Sequence, residues 1–327
     1  MVVLSHETAL RYWLSPSAVA AVDAGALRGV RPSFPSRSDV RALGACGFGL
    51  PVHVLMPRDV SRTRRESVAR HDVPEAAFEG RVYRVGPDLL ACDPATAYVQ
   101  ACSKMDLVSG VFWGNALCGE YVVSDDEEAG FRARAAVARR EELRSRAAVR
   151  FMHGARHARQ ALRYVCDGAA SPMENALAVK LALPLSCGGA GFPDVQLNRR
   201  LNVPERLQKT AGRTYYKCDA FLPESGVAIE YDSDAFHTGA DRIASDARRR
   251  NTLEAMGVTV VTVTRRQLVD PREFFGIVQR LYAISGRRLQ TRYDPLERQV
   301  ALGRSVAALL RASKAAPQRL SAPPFFA

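Results

Sequence analysis

The chain has 327 residues, of which 47% are hydrophobic, so it is long enough to bury two cores and disorder is not expected. Its seven cysteines occur singly, without a Cys-x-x-Cys pair, which excludes the usual zinc and redox motifs and predicts free thiols in a reducing compartment. The formal net charge of +12 favours an acidic partner, although a merely solvated, arginine-rich surface explains the charge equally well.

The first residues carry no charged region followed by an apolar core, so the sequence predicts no secretory signal. No uncharged apolar run approaches the roughly 20 residues that a membrane-spanning helix needs. We therefore expect a cytoplasmic protein without membrane contact.

The first 122 residues mix short helical and strand patterns, which predicts an α+β domain. The clearest strand is residues 51–56, and helices are expected over residues 94–104 and 107–117. Residues 125–166 are dense in Arg, Glu and Ala, which predicts one or two long helices within a linker at 123–170. A solvated helix surface explains the basic face of this linker better than a binding site does.

Residues 171–285 have the clearest signals for the ends of helices and strands, and they predict an α/β domain. Ser171, Pro172 and Glu174 form the capping-box pattern of a helix over residues 172–183. The remaining elements are expected in the order strand 195–199, strand 214–222, strand 227–232, helix 241–256, strand 258–264 and helix 271–282. A hairpin-rich sheet that gains a strand through a helical crossover implies a mixed sheet between helices. Residues 286–327 are expected to form a basic tail, with a helix at 296–312 and then disorder.

The hairpin formed by the second and third of these strands carries a candidate carboxylate pair. If Leu222 faces Val227, the antiparallel register places Asp219 opposite Glu230 and Lys217 opposite Asp232. Carboxylates whose Cβ atoms are about 4.5–5.5 Å apart repel each other unless a cation lies between them. Oxygen ligands of this type suit Mg²⁺, which lowers the pKa of an attacking water. The alternative is a surface hairpin in a different register, in which each acid pairs with a nearby base.

Further residues could complete a site of this kind. His237 follows the third strand and could transfer a proton, or it is a plain loop residue. Glu174 is either the capping partner of Ser171 or an accessory ligand. In the next helix, Asp246 and Arg249 share a face towards the sheet, where they would orient the site or form a buried ion pair. The candidate phosphate contacts, which a solvated basic rim explains about as well, are Arg199, Arg200, Arg213, Lys217, Arg248 and Arg249.

Together these residues resemble the very short patch repair-like endonuclease domain of the PD-(D/E)xK, restriction endonuclease-like superfamily. The motifs that carry the resemblance are Ser171-Pro172-x-Glu174, Cys218-Asp219-Ala220-Phe221, Ile229-Glu230-Tyr231-Asp232, His237, and Asp246-x-x-Arg249-x-x-x-Leu253-x-x-x-Gly257. The resemblance implies hydrolysis of DNA with Mg²⁺ or Mn²⁺, Asp219 and Glu230 being the metal ligands. It also implies catalytic roles for Glu174, Asp232 and His237.

The sequence departs from the superfamily pattern at the Glu-x-Lys motif, which here reads Glu230-Tyr231-Asp232. Lys217 across the hairpin could replace the missing lysine, and Asp232 with His237 is the other arrangement. The Gly that often follows this Asp is Ser233 here.

The first half resembles the antitoxin-type domain of AbiEi proteins, through Ser5-His6-Glu7-Thr8-Ala9-Leu10, the strand PVHVLMP and Cys92-Asp93-Pro94-Ala95-Thr96. That resemblance implies a regulatory or DNA-binding module that could also bind a protein partner. The sequence thus predicts a metal-dependent DNA endonuclease. The alternatives are a catalytically degenerate, nuclease-fold DNA-binding regulator or antitoxin-like protein, and an enzyme of RNA processing.

Overall fold

The computed structural model describes residues 1–58, 63–232, 240–290 and 294–314, without the side chains of residues 76–77, 240–244 and 246. It is a mixed α/β protein that divides into two compact units, Met1–Val165 with residues 308–314, and Cys166–Ala307. Within the described residues, no helix combines the length and the apolar character needed to cross a membrane.

The first unit contains a mixed, six-stranded sheet with the strand order β2-β5-β6-β1-β3-β4. Its strands are β1 Val2–Leu4, β2 Ala26–Leu27, β3 Val52–Pro57, β4 Val68–Val73, β5 Val82–Arg84 and β6 Leu89–Cys92. The helices before residue 120 are α1 His6–Trp13, α2 Ala18–Asp23, α3 Arg37–Ala45, α4 Pro94–Ala101 and α5 Leu107–Leu117. The strand at residues 51–56 and the helix at 107–117 are thus confirmed, and the helix predicted over 94–104 is α4 followed by a 3-10 turn.

The long helices predicted over residues 125–166 are wrong. A small hairpin of β7 Tyr121–Val123 and β8 Phe131–Ala133 comes first, and two short helices follow, α6 Arg140–Ala147 and α7 Ala155–Ala161. Gly154 interrupts the run with a φ of +83°, which glycine adopts without steric cost. These helices contribute buried Leu143 and Ala158 to the core of the first unit, so the stretch is part of a packed domain.

The second unit is a four-stranded mixed sheet with helices, in the order β12-β11-β10-β9. Its elements are α8 Pro172–Ala182, β9 Gln196–Asn202, α9 Glu205–Ala211, β10 Tyr215–Leu222, β11 Val227–Asp232, α10 Ala240–Ala255, β12 Thr259–Thr264, α11 Arg265–Val269 and α12 Pro271–Ile284. β9, β10 and β11 are antiparallel, and β12 pairs with β11 in parallel. A mixed sheet with a helical crossover was predicted, whereas α9 and α11 were not among the predicted elements. A last helix, α13 Pro295–Lys314, follows.

Local signals explain why these elements begin and end where they do. The Ser171 hydroxyl accepts the Glu174 N–H at 3.1 Å, which caps α8, and Asp270 accepts the N–H groups of Arg272 and Glu273 at the start of α12. The turn after α10 is closed by Gly257, whose φ of +77° lets the Val258 N–H bond to the Leu253 carbonyl.

Candidate functional site

The β10–β11 hairpin has the predicted register. Its backbone pairing stops one position before Asp219 and Glu230. Leu222 pairs with Val227, Phe221 with Ala228, and Ala220 with Ile229. At the next position the Tyr231 N–H donates to Asp219 Oδ2 at 2.8 Å, so an aspartate side chain takes the hydrogen bond at the end of the ladder. Burial raises the pKa of Asp219, against the opposing effects of this N–H, Arg249 and Lys217.

Glu230 lies on the neighbouring strand and is held by α10. Arg249 Nη2 donates to Glu230 Oε1 at 2.5 Å and to the Lys217 carbonyl at 2.6 Å, so one guanidinium joins α10 to both strands. The side chain of Glu230 is only 20% exposed. Burial raises its pKa to about 7, the negative charge of Asp219 adds to that rise, and Arg249 opposes it.

Glu174 approaches the same strands from α8. Its Oε2 accepts the Ala170 N–H at 2.9 Å and the Asn198 side-chain amide at 2.6 Å. The same amide also donates to the Gly168 carbonyl at 2.8 Å. The backbone of Asn198 has a φ of +50°. Burial raises the pKa of Glu174, and the charge of Asp219 contributes in the same direction. Glu174 therefore does more than cap its own helix, because it ties α8 to β9.

The structure thus brings three of the predicted acids into one electrostatic neighbourhood. The charge of Asp219 raises the pKa of both Glu174 and Glu230, and burial raises the pKa of all three groups. Half-buried carboxylates that repel each other are costly to hold together, and a hard cation with oxygen ligands would relieve that cost. The carboxylate oxygens of these three acids do not, however, all lie within 4.8 Å of one another.

A shallow cavity of about 260 Å³ opens beside Glu230, between β11, β12 and α10. Asp232, Arg249 and Arg250 also line it, so it contains both an acid and two cationic groups. Asp232 is half-buried at the end of β11, where it pairs with Thr264 of β12. Asp219 and Glu174 do not line this cavity.

The predicted phosphate contacts fall into two groups. Arg199, Arg200, Arg213, Lys217 and Arg248 are exposed, whereas Arg249 is half-buried and bound to Glu230. On β9 and β10, Lys217 pairs with Arg200, with the guanidinium of Arg200 stacked 3.7 Å from the ring centroid of Tyr215. Adjacent like charges destabilise a sheet. Arg249 is better described as an orienting residue than as a phosphate contact.

Two predicted residues lie outside the part of the chain that is described. His237 falls in the undescribed residues 233–239, and the side chain of Asp246 is not described. Sequence reasoning missed Asn198, whose partner Glu174 is 24 residues away. Its signal was faint, since a lone polar residue in a strand-like stretch usually faces solvent.

Comparison with protein-family models, with curated protein sequences and with solved structures finds no match for this chain.

Proposed function

We propose that the second unit is a restriction endonuclease-like domain that hydrolyses DNA phosphodiester bonds with Mg²⁺ or Mn²⁺. The observation that carries this proposal is the gathering of Glu174 on α8, Asp219 on β10 and Glu230 on β11, all with raised pKa values. Buried acids in such an arrangement are typical of functional sites. The exposed basic residues of β9 and β10 supply the positive surface that a polyanion requires.

In this mechanism Asp219 and Glu230 would hold the cation, and Glu174 would contribute an accessory carboxylate. Such a cation lowers the pKa of a bound water and offsets charge on the phosphorus oxygens. Arg249 fixes the orientation of Glu230 through its ion pair. Asn198 fixes Glu174 in the same way. Asp232, at the cavity, and His237 are the proton-transfer candidates, and Lys217, close enough to Asp219 to lower its pKa, is the cationic alternative.

A second candidate is a DNA-binding regulator with the same fold and no catalysis. The ion pair between Arg249 and Glu230 favours it, because that pair already neutralises one proposed metal ligand. The acid Asp232, in the position of the superfamily lysine, favours it as well. In this case the basic surface would bind DNA, and the carboxylates would have a structural role only.

The deciding experiment is cleavage of plasmid and of mismatch-containing DNA with Mg²⁺ or Mn²⁺, using the full chain. Asp219→Asn and Glu230→Gln should each abolish cleavage while leaving DNA binding intact. Glu224→Gln, an exposed glutamate in the loop of the same hairpin, is the matched control and should cut as the wild type does.

Binding measured in parallel separates the two candidates. If the wild type binds DNA and never cuts it with either metal, the regulator is correct and the endonuclease is not. An RNA substrate in the same assay tests RNA processing, because a basic surface recognises phosphates in both nucleic acids.

A further inference from the structure

The first unit brings together three histidines from distant parts of the chain. His6 begins α1 directly after β1, His53 lies on β3, and His71 lies on β4, which pairs with β3 in parallel. The Ser5 N–H donates to the His53 carbonyl at 2.9 Å, which fixes the start of α1 against β3. One ring nitrogen from each histidine lies within 4.8 Å of the others.

The hydrogen bonds of the cluster show which nitrogens face its centre. His53 Nδ1 and His71 Nε2 are 3.0 Å apart. The other ring nitrogen of His53, Nε2, lies 3.3 Å from the carboxylate of Glu7. His6 Nδ1 is 3.0 Å from the Ser5 hydroxyl, so for His6 the nitrogen that remains is Nε2.

The second ring nitrogen of His6, Nε2, is buried and unsatisfied. The residue is only 5% exposed, and among the described residues this nitrogen has no hydrogen-bond partner. Leaving a buried polar atom without a partner lowers stability. The backbone of His6 has a φ of +48°, a conformation that residues with a side chain seldom adopt. Strain and an unsatisfied nitrogen at the same residue indicate that something outside the chain completes this cluster.

All three candidate ligands are imidazole nitrogens. Neutral imidazole nitrogen donors favour Zn²⁺ and related transition metals, whereas Mg²⁺ requires oxygen ligands.

We propose that His6, His53 and His71 bind a divalent transition-metal ion, for which Zn²⁺ is the best fit. A tetrahedral ion with bonds of about 2.0–2.1 Å places its ligand nitrogens about 3.3 Å apart, close to the 3.0 Å between His53 and His71. In this arrangement the Glu7 carboxylate accepts a hydrogen bond from His53 Nε2, and the Ser5 hydroxyl accepts one from His6 Nδ1. Metal-binding histidines are normally oriented by such a bond from the ring nitrogen that does not bind the metal.

Three protein ligands leave a coordination position for water or another small ligand. A cavity of about 320 Å³ reaches the cluster, where Glu7 and His53 form part of its lining with Arg11 and Trp113. The cavity therefore meets the cluster on the His53 side. Such a site suits Zn²⁺ with an exchangeable fourth ligand better than a closed structural site.

The test uses the full chain after a chelator has removed any metal. The protein is titrated with Zn²⁺ and, in a separate experiment, with Co²⁺, whose d–d absorption reports tetrahedral coordination. The wild type should bind one ion and give this absorption without a thiolate charge-transfer band. His53→Gln and His71→Gln should each abolish it. His157→Gln, the same change at an exposed histidine of α7, is the control and should bind as the wild type does.

A further variant tests the arrangement around the ion. Glu7→Gln should weaken Zn²⁺ binding by about 10- to 100-fold, as expected for a group that orients a metal-binding histidine. The thermal midpoint of the wild type, and not of His53→Gln or His71→Gln, should rise with Zn²⁺.

The inference is independent of the carboxylate site. Asp219→Asn should leave Zn²⁺ binding unchanged. If binding is absent in the wild type, survives in both histidine variants, or is lost in Asp219→Asn, the histidine site is refuted.

Discussion

At the scale of single residues, Arg249 and its sequence neighbour Arg248 should have separable roles. Arg249 is half-buried and holds Glu230 and the Lys217 carbonyl, whereas Arg248 is exposed. We predict that Arg249→Gln lowers the free energy of unfolding by about 1–3 kcal/mol, because it removes a charged hydrogen bond from a partly desolvated carboxylate. Arg248→Gln should change it little and weaken DNA binding instead. Equal denaturant midpoints for the two variants would contradict this assignment.

Asn198 combines a side-chain bridge with a left-handed backbone, and two substitutions separate these effects. Both Asn198→Ala and Asn198→Gly remove the hydrogen bonds to Glu174 and Gly168. Only glycine accepts the φ of +50° without cost, since other residues lose about 1–2 kcal/mol there. We expect the alanine variant to be less stable than the glycine variant by about 1 kcal/mol in urea denaturation. The reverse order would show that the backbone relaxes.

Lys180 is a buried cation whose charge should make stability depend on pH. It is 2% exposed, donates to the Leu268 carbonyl and lies 4.1 Å from the ring centroid of Phe274. Burial lowers its pKa to about 8, against an opposing effect of Asp270. Between pH 8 and its ordinary value of about 10.4, the unfolded chain binds more protons, so this residue contributes more stability as pH rises.

Lys180→Met tests whether the contribution of Lys180 to stability rises with pH. The stability of this variant relative to the wild type should be greatest at pH 7 and decline towards pH 10, as measured by denaturant titration at each pH. A constant difference would mean that the lysine is as solvated in the folded protein as in the unfolded chain.

At the scale of elements, two glycines of the second unit should respond in opposite ways to alanine. A Cβ at Gly189, in the turn after α8, would lie 2.1 Å from the Leu183 carbonyl oxygen, a backbone atom that cannot rotate away. A Cβ at Gly276, inside α12, would meet nothing within 4 Å. Gly189→Ala should therefore destabilise the protein, while Gly276→Ala should stabilise it by about 0.5–1 kcal/mol. Thermal unfolding of the two variants beside the wild type measures both effects.

At the scale of the whole molecule, the proposed DNA binding should weaken steeply with salt, because the net charge is +12. The logarithm of the affinity should fall linearly with log salt, with a slope of about −0.9 per phosphate contact. Arg200→Gln and Arg213→Gln should each reduce that slope by about one unit. Arg280→Gln, at an exposed arginine of α12, removes the same charge from another element and should leave the slope unchanged. A uniform response of all three variants would mean that net charge alone attracts the DNA.

The elements of the second unit were predictable because their signals are local. Capping residues, hairpin loop length and a β-branched run each act within a few residues, and they placed α8, the β10–β11 hairpin and β12 correctly. The register of the hairpin follows from its loop, and with it the proximity of Asp219 to Glu230. In the first unit the strands are as short as two residues, too short for an alternation pattern to show.

The partners of the side chains depended on the tertiary structure. Helical spacing predicted that Arg249 faces the sheet, but not that its partner is Glu230. The bond of Asn198 to Glu174 and the meeting of His6 with His53 and His71 are long-range contacts with no spacing to mark them. The sequence by itself determined most helices and strands of the second unit, and the facing of Asp219 and Glu230, because these depend on neighbouring residues and on one hairpin loop; α9 and α11 were not predicted. Only the tertiary structure decided the partners of Glu174 and Glu230 and the meeting of the three histidines, because burial and partner choice depend on elements that pack together from distant parts of the chain.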